Sequence, residues 1–157
     1  MEIKMKKEDV NELYGAIMRM RDEKTPFKFS YGLAKNKALL DGELKAINKA
    51  GEKLKDYDKG RTELAESHSK KDKDGKAVVS KNGTMYEIID RKAFDEDFEV
   101  LKEKHKEVLD EWKVFMDSPC ELKFHKILKS DFPKEISTAN VEGLMPFMED
   151  VNGSVRQ

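Results

Sequence analysis

The stretch FDEDFEVLKEKHKEVLDEWKVF, from Phe94 to Phe115, decides how the chain is read. Its main apolar residues fall at Phe94, Phe98, Leu101, Val108, Trp112 and Phe115, and His105 completes the series. The steps alternate between four and three residues, so all seven side chains share one narrow stripe of an α-helix. The residues between them, among them Lys102, Glu103, Lys106, Glu107 and Glu111, are charged and face water. Such a helix is unstable alone and must lay its stripe on another element.

The spacing predicts that element between Ser30 and Ser69. The same rhythm runs through Leu33, Lys37, Leu40, Leu44, Ile47, Gly51, Leu54, Asp58, Arg61, Ala65 and His68. Its first half is apolar and its second half turns polar. Two long helices joined by a hairpin-bearing connector pack antiparallel. With His68 level with Phe94, Leu54 meets Val108, Ile47 meets Phe115 and Gly51 meets Trp112, where a glycine leaves room for an indole. Asp58 then falls near His105, the polar seam pair this register predicts. An aspartate there raises the histidine's pKa. The pair reads either as a satisfied contact between half-exposed helix residues or as a pH-sensitive latch or ligand pair.

Between the helices, SKKDKDG (Ser69–Gly75) reads as a polar connector and AVVSKNGTMYEII (Ala77–Ile89) as a β-hairpin. Asn82-Gly83 between strand-like runs is a strong type I′ turn signal. It pairs Ser80 with Met85, Val79 with Tyr86 and Ala77 with Ile88. Asp90 is placed to cap the Phe94 helix.

Outside this central part, Ile3 and Met5 alternate with charged residues as in a short strand. Val10, Leu13, Ile17 and Met18 or Met20 form the stripe of a helix from about Lys7 to Asp22. Pro26 breaks the chain before the aromatic cluster Phe27, Phe29 and Tyr31. After Ser118-Pro119, ELKFHKILKS (Glu121–Ser130) reads as a strand that partners Ile3–Met5. Asp131-Phe132-Pro133 turns the chain, and Ser137 or Thr138 caps a last short helix carrying Val141, Leu144 and Phe147 or Met148, which Pro146 bends or ends. The expected fold is α+β and mainly α. A long antiparallel helical hairpin with a β-hairpin at its tip sits on a small base of two short strands and two short helices. Residues 1–150 form one domain and 151–157 a flexible tail.

The chain has 157 residues, with 31 Lys and Arg against 32 Asp and Glu. That balance gives no global pull towards nucleic acid or membrane. Cys120 is the sole cysteine. It excludes an internal disulfide and a multi-cysteine zinc site, and it fits a reducing compartment. No apolar run reaches the length of a membrane span, and MEIKMKKEDV lacks the apolar core of a signal peptide. The expected location is the cytoplasm of the cell that makes it.

The sequence carries no phosphate-binding glycine motif and no H-E-x-x-H. His68, His105 and His125 lie far apart in sequence, and a strand would turn Cys120 and His125 to opposite faces. No enzyme activity, cofactor or metal is therefore expected. Lys70, Lys71, Lys73 and Lys76 are possible phosphate contacts, but Asp72 and Asp74 interleave them, so nucleic acid is the less favoured partner.

PFKFSYGLAKNKALLDGE (Pro26–Glu43) and ELKFHKILKSDFPKEISTANVEGLMPFMED (Glu121–Asp150) flank a central hairpin and a heptad helix. In this layout the chain resembles a group of small phage and prophage proteins of unknown function. The matching features are the Lys35-Asn36 step, the Asp131-Phe132-Pro133 turn and the Leu144-Met145-Pro146 ending. The resemblance implies a viral origin and carries no catalytic residue with it. The expected function is a non-enzymatic one, binding another protein of phage or host, or a second copy, in virion assembly or host and defence manipulation. The hairpin residues Val78, Val79, Met85, Tyr86 and Ile88 are the expected contacts. The alternative is a nucleic-acid-associated accessory protein using the lysine connector.

Overall fold

The computed structural model describes residues 3–80, 83 and 85–149. The expected tail at 151–157 lies outside them. In order, the elements are β1 (Ile3–Lys6), α1 (Val10–Arg19), α2 (Phe27–Ala50), α3 (Lys55–Ser67), α4 (Arg91–Lys104), α5 (Lys106–Asp117), β2 (Pro119–Leu122), β3 (Ile127–Leu128), α6 (Thr138–Leu144) and β4 (Met148–Glu149). The described chain is mainly helical, with short strands in two small sheets. Its packing resolves two compact units, Met1–Lys49 with Phe115–Gln157, and Ala50–Val114.

The first unit is built on a true core. β1 pairs antiparallel with β2, setting Met5 opposite Cys120 and Lys6 opposite Pro119. The expected partnership of Ile3–Met5 with the chain after Ser118 therefore forms, but it uses only the start of the expected strand and begins at Pro119. Lys7 ties the corner, donating from Nζ to Ser118 Oγ at 2.7 Å and to the Pro119 carbonyl at 3.0 Å. On α1, the helical spacing buries Val10, Leu13 and Ile17, with Met20 just beyond the helix and Ala16 beside them. α6 packs across this stripe at Gly143, where an added Cβ would lie 3.0 Å from the Ala16 Cβ. Ser137 caps α6 as expected, its Oγ accepting from the Asn140 amide at 3.2 Å. Pro146 falls in the 3₁₀ turn Met145–Phe147 that follows.

α2 begins at Phe27, three residues earlier than the sequence suggested, because the Ser30 amide already reaches the Pro26 carbonyl at 3.0 Å. Its buried row is Phe29, Leu33, Asn36, Leu40 and Ile47. Lys37, expected in the seam, is half-exposed and pairs with Asp41 at 2.8 Å. Asn36 takes the inward position instead and is fully buried. Its Nδ2 donates to the His125 carbonyl at 2.9 Å, and its Oδ1 accepts from the His125 amide at 2.7 Å. A buried amide with both ends satisfied acts here as a surrogate strand partner. It holds the irregular segment that divides the single strand expected over Glu121–Ser130.

Beyond that segment, β3 pairs in parallel with β4. Gly32 admits Ile127 against α2, since an added Cβ would lie 2.6 Å from Ile127 Cγ1. Phe29 meets Phe132, and Phe124 meets Phe147, each edge-on with ring centroids 4.9 Å apart.

In the second unit, a 3₁₀ turn at Gly51–Leu54 interrupts the single helix expected from Ser30 to Ser69. Glycine is the weakest ordinary helix former, and here it faces an indole. An added Cβ on Gly51 would lie 3.3 Å from Trp112 Cη2. His105 likewise divides the expected Phe94–Phe115 helix into α4 and α5. Asp90 caps α4, its Oδ1 accepting from the Ala93 amide at 3.0 Å. The ring contact of His68 with Phe94 (5.8 Å), the approach of Leu101 to Gly60, and the ring contact of Tyr57 with His105 (5.7 Å) show α3 and α4 running in opposite directions.

Candidate interaction surface

The segment from Ser69 to Ile88 holds together without a regular sheet. Its first turn is set by Asp72. Oδ1 of Asp72 accepts from the Asp74 and Lys76 amides, both at 2.9 Å. The Gly75 amide bonds to the Asp72 carbonyl at 3.1 Å, and Gly75 has φ +75°, a left-handed geometry suited to glycine. The lysine connector is thus half of a hairpin, with Lys71 opposite Ala77. The second turn contains Gly83 at φ +69°, its amide bonded to the Ser80 carbonyl at 2.8 Å. Lys81, Asn82 and Thr84 lie outside the described residues, and the expected type I′ geometry with them.

Among the described residues three antiparallel bridges result: Lys71 with Ala77, Val79 with Tyr86, and Ser69 with Ile88. The expected Val79–Tyr86 and Ser80–Met85 pairings are present, the latter as a 2.7 Å bond from the Ser80 amide to the Met85 carbonyl. The expected Ala77–Ile88 pairing is replaced, because the connector inserts between those two residues. The Lys70 amide donates to Glu87, the Glu87 amide to Val78, and the Val78 amide to Lys70, at 2.8, 3.0 and 2.8 Å. Each segment is paired with both others. This closed triangle satisfies backbone groups that a two-stranded hairpin would leave on its edges.

Tyr86 fastens the triangle to α3, its hydroxyl donating to Glu66 Oε1 at 3.0 Å. That bond, with burial and the glutamate's charge, holds the phenol above its ordinary pKa. Buried Ser69 donates from Oγ to the Glu66 carbonyl at 2.7 Å. At the base, the His68 ring stands 2.7 Å from Asp97 and edge-on to Phe94, while the His68 carbonyl accepts from the Ile89 amide at 3.0 Å.

Tyr86 and Ile88 occupy bridge positions, while Met85 precedes them and Ile89 follows in a bend. Of the five expected contact residues, Val78, Tyr86 and Ile88 are half-buried, while Val79 and Met85 are exposed at 46% and 68%. Ile89, which the sequence reading passed over, is 72% exposed. Its two-residue phase with Met85 was the available signal. Val79, Met85 and Ile89 are thus the exposed large apolar residues of this segment, and Val79, bridged to Tyr86, shares that residue's face.

The other sequence candidates scatter. Tyr57 stands against His105, and Asp58, one residue on, lies 3.6 Å from Arg61. The expected Asp58–His105 pair is corrected by this one-residue shift, and the histidine–aspartate contact of this unit is His68–Asp97. Asp97 follows Phe94 by one helical turn, so the register that set His68 beside Phe94 contained it. Among the lysines, Lys70 lies 3.9 Å from Glu87, Lys71 donates to the Glu66 carbonyl, and Lys73 and Lys76 are exposed.

In the first unit, Cys120 is buried. Burial first, then Glu43, pushes its thiol up to about 11, against a small opposing pull from Lys7. The His125 ring lies edge-on to Tyr31. A cleft of about 530 Å³ opens between α1 and the start of α2, with Ile17, Met20 and Leu33 on its walls and Arg21 and Lys37 at its rim. Among the described residues, no three or more His, Cys, Asp or Glu side chains are grouped to hold a metal ion, and no helix is long and apolar enough to cross a membrane.

No protein-family model matches the chain, no curated protein matches its sequence, and no solved structure matches its fold.

Proposed function

We propose that the chain is a non-enzymatic interaction protein of phage or prophage origin, acting in the host cytoplasm in virion assembly or in manipulation of the host and its defences. In this reading α3 and α4 are the arms of a helical hairpin, and the β-triangle is its contact-bearing tip. The observation that carries the reading is the outward pair Met85 and Ile89, held on a segment whose backbone is already paired on both sides. Apolar side chains presented from a fixed backbone lose little conformational entropy when a partner covers them. Closing the ladder also makes side chains, not strand addition, the means of recognition.

The test compares the tagged chain with a Met85→Asp/Ile89→Asp variant in capture from infected and uninfected host lysate, and in sedimentation of the purified protein. Both side chains are exposed, so the variant should keep the native circular dichroism spectrum. A stoichiometric partner, or a dimer, that survives high salt and is lost in the variant is the expected result. A partner retained equally by both proteins moves recognition off the tip. The absence of any partner and of self-association removes the reading.

A further inference from the structure

We propose that the groove between α3 and α4 receives a basic amphipathic helix of a partner protein. The inference rests on the reading of the chain as an interaction protein but uses a surface other than the tip. The groove, about 800 Å³, is walled by α3 from Asp56 to Ser67 and by α4 from Asp97 to the following His105. A second hollow of about 260 Å³ shares Lys104 and His105 with it and continues to Glu111. At 1.5 Å rise per residue, the wall from Asp97 to Glu111 is about 21 Å long, roughly four turns of a docked helix.

Leu64, Leu101 and Val108 give this trough an apolar lining, and Val100 stands beside them 69% exposed. Gly60 keeps the α3 wall low, where an added Cβ would lie 2.8 Å from Leu101 Cδ1. Carboxylates outnumber cations there, although Glu63 is paired with Lys59 and Asp97 with His68. Asp56, Glu63, Asp97, Glu107 and Glu111 line the two hollows, against Lys59 and Lys104. The chain as a whole is nearly balanced, so this excess is local.

An apolar trough with an acidic rim is complementary to a helix with apolar anchors at i, i+3 or i+4 and i+7, flanked by lysine or arginine. A second copy of this chain fits less well. Its α1 stripe is buried, and α4 and α5, whose stripes are only half covered, carry more carboxylates than cations and would bring like charge.

The experiment uses the full chain with a fluorescein-labelled leucine–lysine amphipathic peptide about four turns long, and its leucine–glutamate counterpart, read by anisotropy at physiological salt. The leucine–lysine peptide should bind in one-to-one ratio and the leucine–glutamate peptide should not. Glu107→Lys/Glu111→Lys, on exposed positions, and Val100→Asp should each weaken binding by about tenfold or more. Met85→Asp, on the tip, should leave it unchanged, so failure here and failure of the tip reading are separate results. Equal binding of both peptides, no binding, binding indifferent to the groove variants, or loss in Met85→Asp would overturn the proposal. So would a dimer of the chain that Val100→Asp dissociates, which would make a second copy the occupant.

Discussion

Among the described residues, the unit assembled from both ends of the chain contains fourteen of the fifteen buried apolar side chains, while Ala50–Val114 contributes only Tyr57. The two units draw on the same alphabet of amphipathic helices, so the difference lies in how many layers close around each stripe. The α1 stripe is covered by α6, and Phe29 by Phe132, until little water remains. In the other unit α3 and α4 cover one side of each other, and Phe94, Phe98 and Leu101 stay half-exposed. Stability there leans on capped turns and on the backbone triangle from Ser69 to Ile88. A two-layer core resists change, while a half-covered stripe is free to acquire a third layer from elsewhere.

The sharpest way to break this contrast is to truncate one residue in each unit. Phe147→Ala removes a fully buried ring and should destabilise by about 3–5 kcal/mol. Leu101→Ala, on a half-exposed side chain, should lose about 1 kcal/mol. Urea unfolding of both variants reads the difference, and native-state hydrogen exchange locates it. Equal losses would mean that the second unit has a core as demanding as the first.

Asn36→Ala comes next, at about 2 kcal/mol, because it leaves the His125 amide and carbonyl without their partner at a part-buried site. Loss of amide protection confined to residues 123–128 would identify Asn36 as a local clamp. Protection lost throughout α1 and α2 as well would make it a keystone of the whole core.

Two glycines give a finer comparison. Gly32→Ala presses a methyl group to 2.6 Å from the buried Ile127 and should destabilise by about 1–3 kcal/mol. Gly60→Ala presses to 2.8 Å on Leu101 Cδ1, the free end of a half-exposed side chain that can turn away. The second should be near neutral or slightly stabilising, since alanine also favours the helix. Thermal melts decide it, and a comparable loss at Gly60 would show that the groove is packed more rigidly than its exposure suggests.

These pairs also show what the amino-acid order can and cannot carry. Periodicity marks Val10, Leu13 and Ile17 as one face because any layer placed on that face buries all three. It misplaced the α2 seam by one residue, choosing Lys37, since an asparagine becomes an inward residue only when a distant backbone segment offers it both a donor and an acceptor. Gly32 gave no sign of its role for the same reason: Ile127 is brought to it by the tertiary fold. The connector was different. Asp74-Gly75 between Lys71 and Ala77 is a legible turn signal, and reading that stretch only as polar linker hid the third side of the triangle. The outward Ile89 was legible too, by its phase with Met85. Asp58 was set beside His105 by counting along an unbroken helix. Both helices are unbroken between the His68–Phe94 contact and this level, and strict counting from that contact puts Tyr57 beside His105, as observed, so the miss was one residue of register and not a break in the helix.

The smallest expected effect concerns the two groups whose acidity each unit suppresses by a different means. Cys120 is raised from 9.0 to about 11, chiefly by burial, while Tyr86 is raised chiefly by its bond to Glu66. A group whose folded pKa lies above its unfolded value adds stability below the unfolded value and loses it as pH rises to the folded one. For Cys120 that window runs from 9.0 to about 11. Native protein should therefore show thiolate absorbance and rapid disulfide-reagent labelling only near the top of this window, and unfolded protein near its foot. Glu43→Gln removes a secondary cause and should lower the native value only in part, because the packing around Met5 and Cys120 remains. Glu66→Gln should bring Tyr86 most of the way back to an ordinary phenol. If Glu43→Gln alone restored an ordinary thiol, charge and not burial would be holding Cys120, and the first unit would resemble the second in the way it controls its ionisable groups.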